Sequence, residues 1–383
     1  MSAGRGNRFS RVLGKILLAA AAAAVGLLAA EGLVRLLAPQ PIVPRFVESA
    51  PWGIRQNLPN VDGTHSTAEY EYRFTTGPQG FRSQRNYSEQ VPAGVRRVAV
   101  LGDSVTLGHG VRDEETFSAR LEALLAGSGQ PAEVINMGVS GFGTAEELIH
   151  YQNVARRFHP DVVVVAYFQN DPLNNFICGL FRVEGGRLVR QSSGFLPGVT
   201  LRDSVARIPG YEWLVQHSHL VNLVRNTASL LISRRYAAEA ARRAGSGSAD
   251  ASAGAANGCD AGSADASAGA GDGAGAGGAE TPQDELTLRL LEALAREVAD
   301  DGARIVLLDI ASSAEGFRTS FPRTLSLPDS ARVVSATPEL KKSLESGQRI
   351  FYPVDGHPTA EGHDAIAAAL FPVVLEMLRS GSL

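Results

Sequence analysis

The pattern of hydrophobic and polar positions divides this chain into stretches of different period. Ile16 to Ala30 is an uncharged run, and apolar character resumes through Gly32, Leu33, Val34, Leu36 and Leu37. Taken as a helix, Ile16 to Leu37 spans about 33 Å at 1.5 Å per residue, the thickness of a bilayer core. Glu31 and Arg35, four residues apart, are placed to pair on one helix face near the membrane surface. Arg5, Arg8, Arg11 and Lys15 precede the run, which predicts a cytoplasmic N-terminus and a remainder outside. A cleaved signal peptide is the competing reading, because alanine-rich stretches offer small-residue cleavage sites. The sequence after Ala30 stays apolar, however, which favours an uncleaved anchor.

Residues 38–95 read as an irregular lead-in with one hairpin signal, where Tyr70, Tyr72 and Phe74 alternate before the turn Thr76-Gly77-Pro78. From Arg96 short aliphatic runs alternate with helical stretches: Val98 to Leu101, Phe117 to Leu125, Val134 to Met137, Ala145 to Phe158, Val162 to Ala166. That alternation predicts a parallel sheet sandwiched by helices, because crossover helices must cover both faces of such strands. The theme returns with a helix opened by Thr281 and Pro282 and running to Val298, the strand Ile305 to Leu308, and an amphipathic helix from Thr359 to Leu378. Two interruptions are expected: an inserted helical or lid region at 176–244, with a helix from Leu220, and a Gly/Ala/Ser/Asp-rich tract at 245–280. In that tract Gly-Ser-Ala-Asp-Ala-Ser-Ala-Gly-Ala starts at both Gly247 and Gly262. It offers too little apolar surface to offset its ordering entropy and reads as a disordered loop. The core would then comprise 96–175 and 281–383, behind a basic N-terminus at 1–15 and the membrane segment at 16–37.

Composition narrows the picture. At 383 residues and 44% hydrophobic content the chain can bury a core of ordinary α/β size. A net charge of -4 provides no footprint for nucleic acid. Cys178 and Cys259 are too few for a zinc site or a dense disulfide framework, although one bridge between them is open to an exported chain. The eight histidines include no HExxH pair, so neither a metal nor another cofactor is expected.

Four segments carry candidate chemistry. Val100 to Thr106 is a strand running into the turn Gly102-Asp103-Ser104, which puts a serine at the carboxyl edge where open α/β sheets build their crevices. Alone, such a turn is more often mere punctuation. Val134 to Thr144 is again strand, glycine turn and helix, and glycines there let the backbone approach a ligand and offer an amide N–H to an oxyanion. Val162 to Pro172 ends a strand at Asn170-Asp171. The Asn170 amide could face developing negative charge or form an Asx turn ahead of Pro172, and Asp171 either fixes that turn or caps the helix. Asp355-Gly356-His357 precedes the last helix, and a histidine near a carboxylate suits proton exchange at neutral pH. His109 and Thr106 are expected in a solvated turn, and His363 on an exposed helix face.

Jointly, the four segments have the order one nucleophilic site requires, and the chain resembles the SGNH (GDSL-type) hydrolase superfamily, a bacterial membrane-anchored member of it. The resemblance covers about Arg96 to Leu378, less the insertion and the low-complexity tract. It implies a three-layer α/β/α flavodoxin-like sandwich and a serine esterase acting on a small-molecule, glycan or lipid ester. Ser104 would be the nucleophile, His357 its base and Asp355 the orienting acid. Ser104, Gly141 and Asn170 would supply the oxyanion donors, with Asp103 and Asp171 in support. Three positions depart from the family pattern. Only Gly356 separates Asp355 from His357 where two residues are usual, Gln169 stands where glycine is common, and Val105 replaces leucine. An acyl-serine resolved by a sugar hydroxyl would make the chain an O-acetyltransferase of an envelope polysaccharide, and loss of activity would leave a glycan-binding or assembly protein. The expected location is the inner membrane, crossed once, with the catalytic part periplasmic.

Overall fold

A computed structural model describes residues 3–243, 281–312 and 316–380. The tract at 245–280, with its expected disorder and with Cys259, lies outside the described residues. The apolar N-terminal run forms one helix, α1 (Ala3–Leu37), longer than the span read from the sequence because it continues back through the basic residues. Its portion Ser10–Leu37 is long and apolar enough to cross a membrane, and its large apolar side chains are exposed.

The lead-in forms two antiparallel pairs. The first joins β1 (Val47–Ser49) to β2 (Arg55–Asn57), and the second joins β3 (Asp62–Ser66) to β4 (Glu71–Thr75). The alternation of Tyr72 and Phe74 is that of β4, but its partner lies upstream. The chain reverses at Thr67 to Tyr70, where the Thr67 N–H donates to the Tyr70 carbonyl at 2.9 Å, and not at Thr76-Gly77-Pro78.

The core opens with β5 (Arg96–Gly102) and the single turn α2 (Ser104–Leu107). It continues through α3 (Phe117–Gly127), β6 (Ala132–Asn136), α4 (Thr144–Asn153), β7 (Val162–Phe168) and α5 (Asp171–Cys178). The helix expected to Phe158 stops at Asn153, followed by a 3-10 turn that ends at His159 in the left-handed region. Next come the hairpin β8 (Phe181–Glu184) and β9 (Arg187–Arg190), then α6 (Val199–Val205), α7 (Tyr211–His217) and α8 (His219–Arg243). The chain closes with α9 (Pro282–Asp300), β10 (Arg304–Ile310), β11 (Ala331–Ser335), α10 (Thr337–Glu345) and α11 (Ala360–Arg379). Thr281 caps α9 as its position suggests, accepting from the Asp284 N–H at 3.3 Å.

Five strands make one sheet in the order β11-β10-β7-β5-β6, and every pair is parallel. Counted along the sheet from β6, the sequence rank of the strands is 2-1-3-4-5, the flavodoxin-like order. The edge strand β11 is short, and most of its positions, Arg332, Val333 and Ser335, are exposed, so it carries no long aliphatic run and the sequence pattern did not announce it. Strand side chains alternate between two buried layers. Ala99, Leu101, Val163, Val165, Ile305 and Leu307 face α4, α5 and α9, whereas Val98, Val100, Val162, Val164, Val306 and Leu308 face α3 and α11. Both faces being covered, the strands are apolar throughout, as a parallel sheet requires.

The lead-in packs on the sheet's carboxyl edge. Arg55, 1% exposed, donates to both carboxylate oxygens of Glu146 at the start of α4 and, at 2.7 Å, to the Gly141 carbonyl. Asn57 Nδ2 donates to the Gly138 carbonyl at 2.8 Å, and the Arg82 N–H to the Asn136 carbonyl at 3.1 Å. Removing one partner of a buried ion pair strands the other charge, at a cost of about 3–5 kcal/mol. Arg55→Met should therefore destabilise the folded chain by about that amount in guanidinium unfolding, and Arg55→Met with Glu146→Leu should recover most of it. An Arg55→Met chain as stable as the parent would show that the pair does not tie the lead-in to the core.

Candidate active site

In an open parallel sheet of this order, the connections from the two strands flanking the rank reversal leave in opposite directions, and a crevice opens at their carboxyl ends. Here those strands are β5 and β7. Ser104 follows β5 and Asn170 follows β7, so the two stand on either side of the crevice, and the loop after the neighbouring β6 brings Gly141 to the same edge.

Gly102 ends β5, and the carboxylate of the next residue, Asp103, accepts the Val105 N–H at 2.8 Å, capping the one-turn helix that begins with Ser104. Its other oxygen accepts from the Asn170 amide at 3.2 Å. One side chain thus fixes both the nucleophile turn and the amide across the crevice, leaving the second hydrogen of Asn170 Nδ2 unused by that bond. Gly141 has φ +75, a left-handed conformation that costs glycine least, and its carbonyl is held by Arg55. Among the described residues no hydrogen bond engages the N–H of Ser104 or of Gly141.

His357 arrives from the far end of the chain. Its Nε2 lies 2.8 Å from Ser104 Oγ, although 253 positions separate the residues. Its Nδ1 bonds Asp355 Oδ1. With a single residue between them the two side chains meet because Gly356 has φ +78, a turn conformation that folds the chain back on itself. The short spacing therefore leaves the acid in reach of the imidazole. Burial pulls the His357 imidazole toward its neutral form, but the charge and hydrogen bond of Asp355, with a smaller contribution from Asp103, hold it above the ordinary histidine value. Asp355 is likewise opposed by burial, yet His357 and the hydrogen bonds from His357 and Tyr70 bring it down to about 2.

Sequence reasoning missed two residues at this site. Tyr70 Oη donates to Asp355 Oδ2 at 2.8 Å, and Glu69 accepts the N–H groups of Val354 at 3.1 Å and Asp355 at 2.6 Å. The β3–β4 turn thereby clamps the loop that carries the acid and the imidazole. The alternation at Tyr70 marked a strand, but nothing local marks a partner 285 positions away.

Other residues differ from expectation. His363 is fully buried, accepting the Phe117 N–H at 3.1 Å and stacking on that ring, because α11 turns this face onto α3. Thr106 is buried too, and His109 is largely enclosed, its ring 5.2 Å from that of His357 and 5.6 Å from Phe46. Neither lies in a solvated turn, since the lead-in covers them; burial lowers the His109 pKa to about 3. Asp171 does not cap α5. It is the first helical residue, and its carboxyl accepts from Thr144 at 3.3 Å, joining α5 to α4. A cavity of about 180 Å³ between the lead-in and α4, lined by Trp52, Asn57 and His150 among others, reaches none of Ser104, Asn170 or His357. Among the described residues no cluster has metal-binding geometry.

Comparison with known proteins adds a family. Residues 100–365 match the model of the GDSL-like Lipase/Acylhydrolase family. Among solved structures the chain is similar to TesA at 13% identity, covering 74% of this chain and 99% of that one, with a TM-score of 0.37. It is similar to a two-domain esterase active on acetylated mannans at 13% identity, covering 76% and 52%, with a TM-score of 0.39. A third similar structure is a mutant of Axe2, an acetylxylan esterase from Geobacillus stearothermophilus, at 10% identity, 74% and 94% coverage and a TM-score of 0.36. No curated protein matches the chain.

A hydrogen bond to a charged group contributes about 1.5–3 kcal/mol, so Tyr70→Phe should lower kcat for an ester substrate about tenfold or more, with KM little changed. Unchanged kcat in a folded Tyr70→Phe chain would show that the clamp does not position the acid.

Proposed function

We propose, from the premise that this chain belongs to the GDSL-like lipase/acylhydrolase family, that it cleaves carboxylic esters through an acyl-enzyme formed on Ser104. The observation that carries the reading is the continuous path Asp355–His357–Ser104, with Nε2 at 2.8 Å from the hydroxyl oxygen. His357 takes the hydroxyl proton as Ser104 Oγ attacks the ester carbonyl, forming the Oγ–C bond and placing negative charge on the carbonyl oxygen. The N–H groups of Ser104 and Gly141 and the Asn170 amide receive that charge. The imidazolium returns its proton to the departing alcohol, and a water activated by the same imidazole releases the acid and frees Ser104. Asp355 stabilises the imidazolium, Asp103 aligns Asn170, and Asp171 secures the helix behind it.

The apolar helix Ser10–Leu37, preceded by Arg5, Arg8, Arg11 and Lys15, supports a single-pass anchor in the inner membrane, with the catalytic residues on the outer side. The substrate would then be an acyl or acetyl ester of the cell envelope or its surroundings.

Ser104→Ala should abolish release of p-nitrophenol from p-nitrophenyl esters and labelling by an active-serine phosphonate, while leaving the fold intact. Asn170→Ala should reduce turnover about 10²- to 10³-fold with a smaller effect on KM, the usual loss for one oxyanion donor. Full esterase activity in Ser104→Ala would overturn the mechanism.

The pH profile follows from His357. The imidazole must be neutral to accept the serine proton, and its pKa is raised, so kcat/KM should fall on acidification with a midpoint above the ordinary histidine value of about 6.5. Asp355→Asn removes the charge that stabilises the imidazolium and should move this limb to lower pH. A limb that stays in place in that variant would remove Asp355 from the role proposed here.

A further inference from the structure

The geometry points to a second membrane contact: the exposed apolar face of α6, α7 and the first half of α8 lies in the lipid headgroup layer beside the anchor helix. This rests on the anchor reading proposed above and goes beyond it, since an anchor alone leaves the rest of the chain free of the bilayer.

The first support is a fixed height. The Glu31 carboxylate, near the end of α1, accepts the N–H groups of His219 at 3.0 Å and Leu220 at 2.9 Å and the Ser218 hydroxyl at 2.7 Å, so it caps the N-terminus of α8. Arg35 holds Glu31 at 2.6 Å and also donates to the His217 carbonyl, and the Gln40 N–H donates to His219 Nδ1 at 2.8 Å. Glu31 lies six residues before the end of the apolar helix at Leu37, which at 1.5 Å per residue is about 9 Å along the axis. The 28 residues Ser10–Leu37 span about 42 Å, the hydrocarbon core with both headgroup layers, so Glu31 stands near the level where hydrocarbon gives way to headgroups, and the α7–α8 junction bound to it is held there.

The second support is what the neighbouring helices expose. Outside α1, ten large apolar residues are exposed among the described residues, and six of them fall within positions 201–231: Leu201, Ile208, Trp213, Leu214, Val224 and Leu231. The other four are scattered over as many places. Trp213 is 62% exposed, and indole is the side chain that prefers the headgroup level. Val224 and Leu231 are seven residues apart and share one face of α8. Charge agrees over the whole of α6–α8: three arginines against two acidic residues in 199–231, and Arg234, Arg235, Arg242 and Arg243 against Glu239 in the rest of α8, within a chain whose net charge is -4. A basic segment with an exposed apolar stripe and a tryptophan is the composition of a helix lying in an anionic membrane surface. A protein partner would account for the apolar stripe, but it would not require the stripe to begin at the level set by Glu31.

The docking would reach the reaction edge. α8 packs on α5, whose first residue follows Asn170, so a segment held in the headgroups fixes the orientation of that edge to the bilayer.

The test uses the full chain reconstituted in vesicles of phosphatidylglycerol and phosphatidylcholine, the latter brominated either near the headgroup or deep in the acyl chain. The chain has two tryptophans, Trp52 and Trp213, so the emission lost in Trp213→Phe reports Trp213 without disturbing Trp52. The expected result is strong quenching of the Trp213 component by shallow bromines and weak quenching by deep ones. A second chain, Leu28→Trp with Trp213→Phe, reports the anchor and should be quenched by the deep bromines. Quenching at Leu28→Trp with none at Trp213 overturns the docking proposal and leaves the face to a protein partner or a second copy. Absence of quenching at Leu28→Trp overturns the anchor reading, and the docking proposal with it.

Discussion

The arrangement depends on one hydrogen bond, between a hydroxyl at the end of the first core strand and an imidazole 253 positions later. The serine side is rigid by construction, because β5 is paired on both sides in the sheet and Asp103 caps the turn that follows. The histidine side is a loop, and a loop holds a geometry only as well as its fastenings. Behind His357 the isolated bridge between Phe351 and Pro358 and the cap of Thr359 on α11 fix the loop's base. In front, the Tyr352 hydroxyl reaches the Gly110 carbonyl at 2.9 Å, and Glu69 and Tyr70 grip the turn at Asp355. Preorganisation of this kind matters more than the number of bonds, because a small displacement of a general base costs far more rate than stability.

The lead-in therefore belongs to the site and is more than a spacer between α1 and a core. It supplies Tyr70 and Glu69 on the acid, Arg55 on the Gly141 loop and the aromatic cover over His109. The family match begins only at residue 100, after all of these. What is general to such folds is the sheet edge with its four short segments. In this chain the edge is braced by residues between α1 and the first core strand.

The legibility of the sequence follows the range of the interactions. Strands β5, β6, β7 and β10 and helices α3, α9 and α11 were readable because burial on two faces or one imposes a run or a period on adjacent residues. Ser104 and Asn170 stand at turns where a strand gives way to a helix, and His357 lies in the turn before α11, places that a strand-and-helix reading marks. The edge strand β11 was hidden, since half of it faces solvent and carries no apolar run. His363 was misplaced for a related reason: its polarity suggests a wet face, whereas the packing of α11 on α3 turns it inward onto Phe117. The Tyr70–Asp355 bond had no local signature, because contacts across 285 positions leave no period behind.

Electrostatics beneath the crevice complete the constraint. Asp103, Glu147 and Asp171 are all buried below the edge where an oxyanion would form, and the nearby arginine, Arg55, is committed to Glu146. Three ionised carboxylates there would oppose the negative charge of a tetrahedral intermediate. Burial raises the pKa of Asp103, and burial with repulsion from neighbouring carboxylates, Asp103 and Glu146 acting on Glu147 and Glu147 and Asp103 acting on Asp171, pushes Glu147 and Asp171 well above the ordinary carboxylate value. The fold thus places acids under the site and, by burying them, disfavours their charged forms. Asp355, by contrast, is held toward its charged form on the histidine side, beside the His357 imidazole. In the acyl transfer proposed at Ser104, that asymmetry would set the carboxylate charge beside an imidazolium and away from an oxyanion.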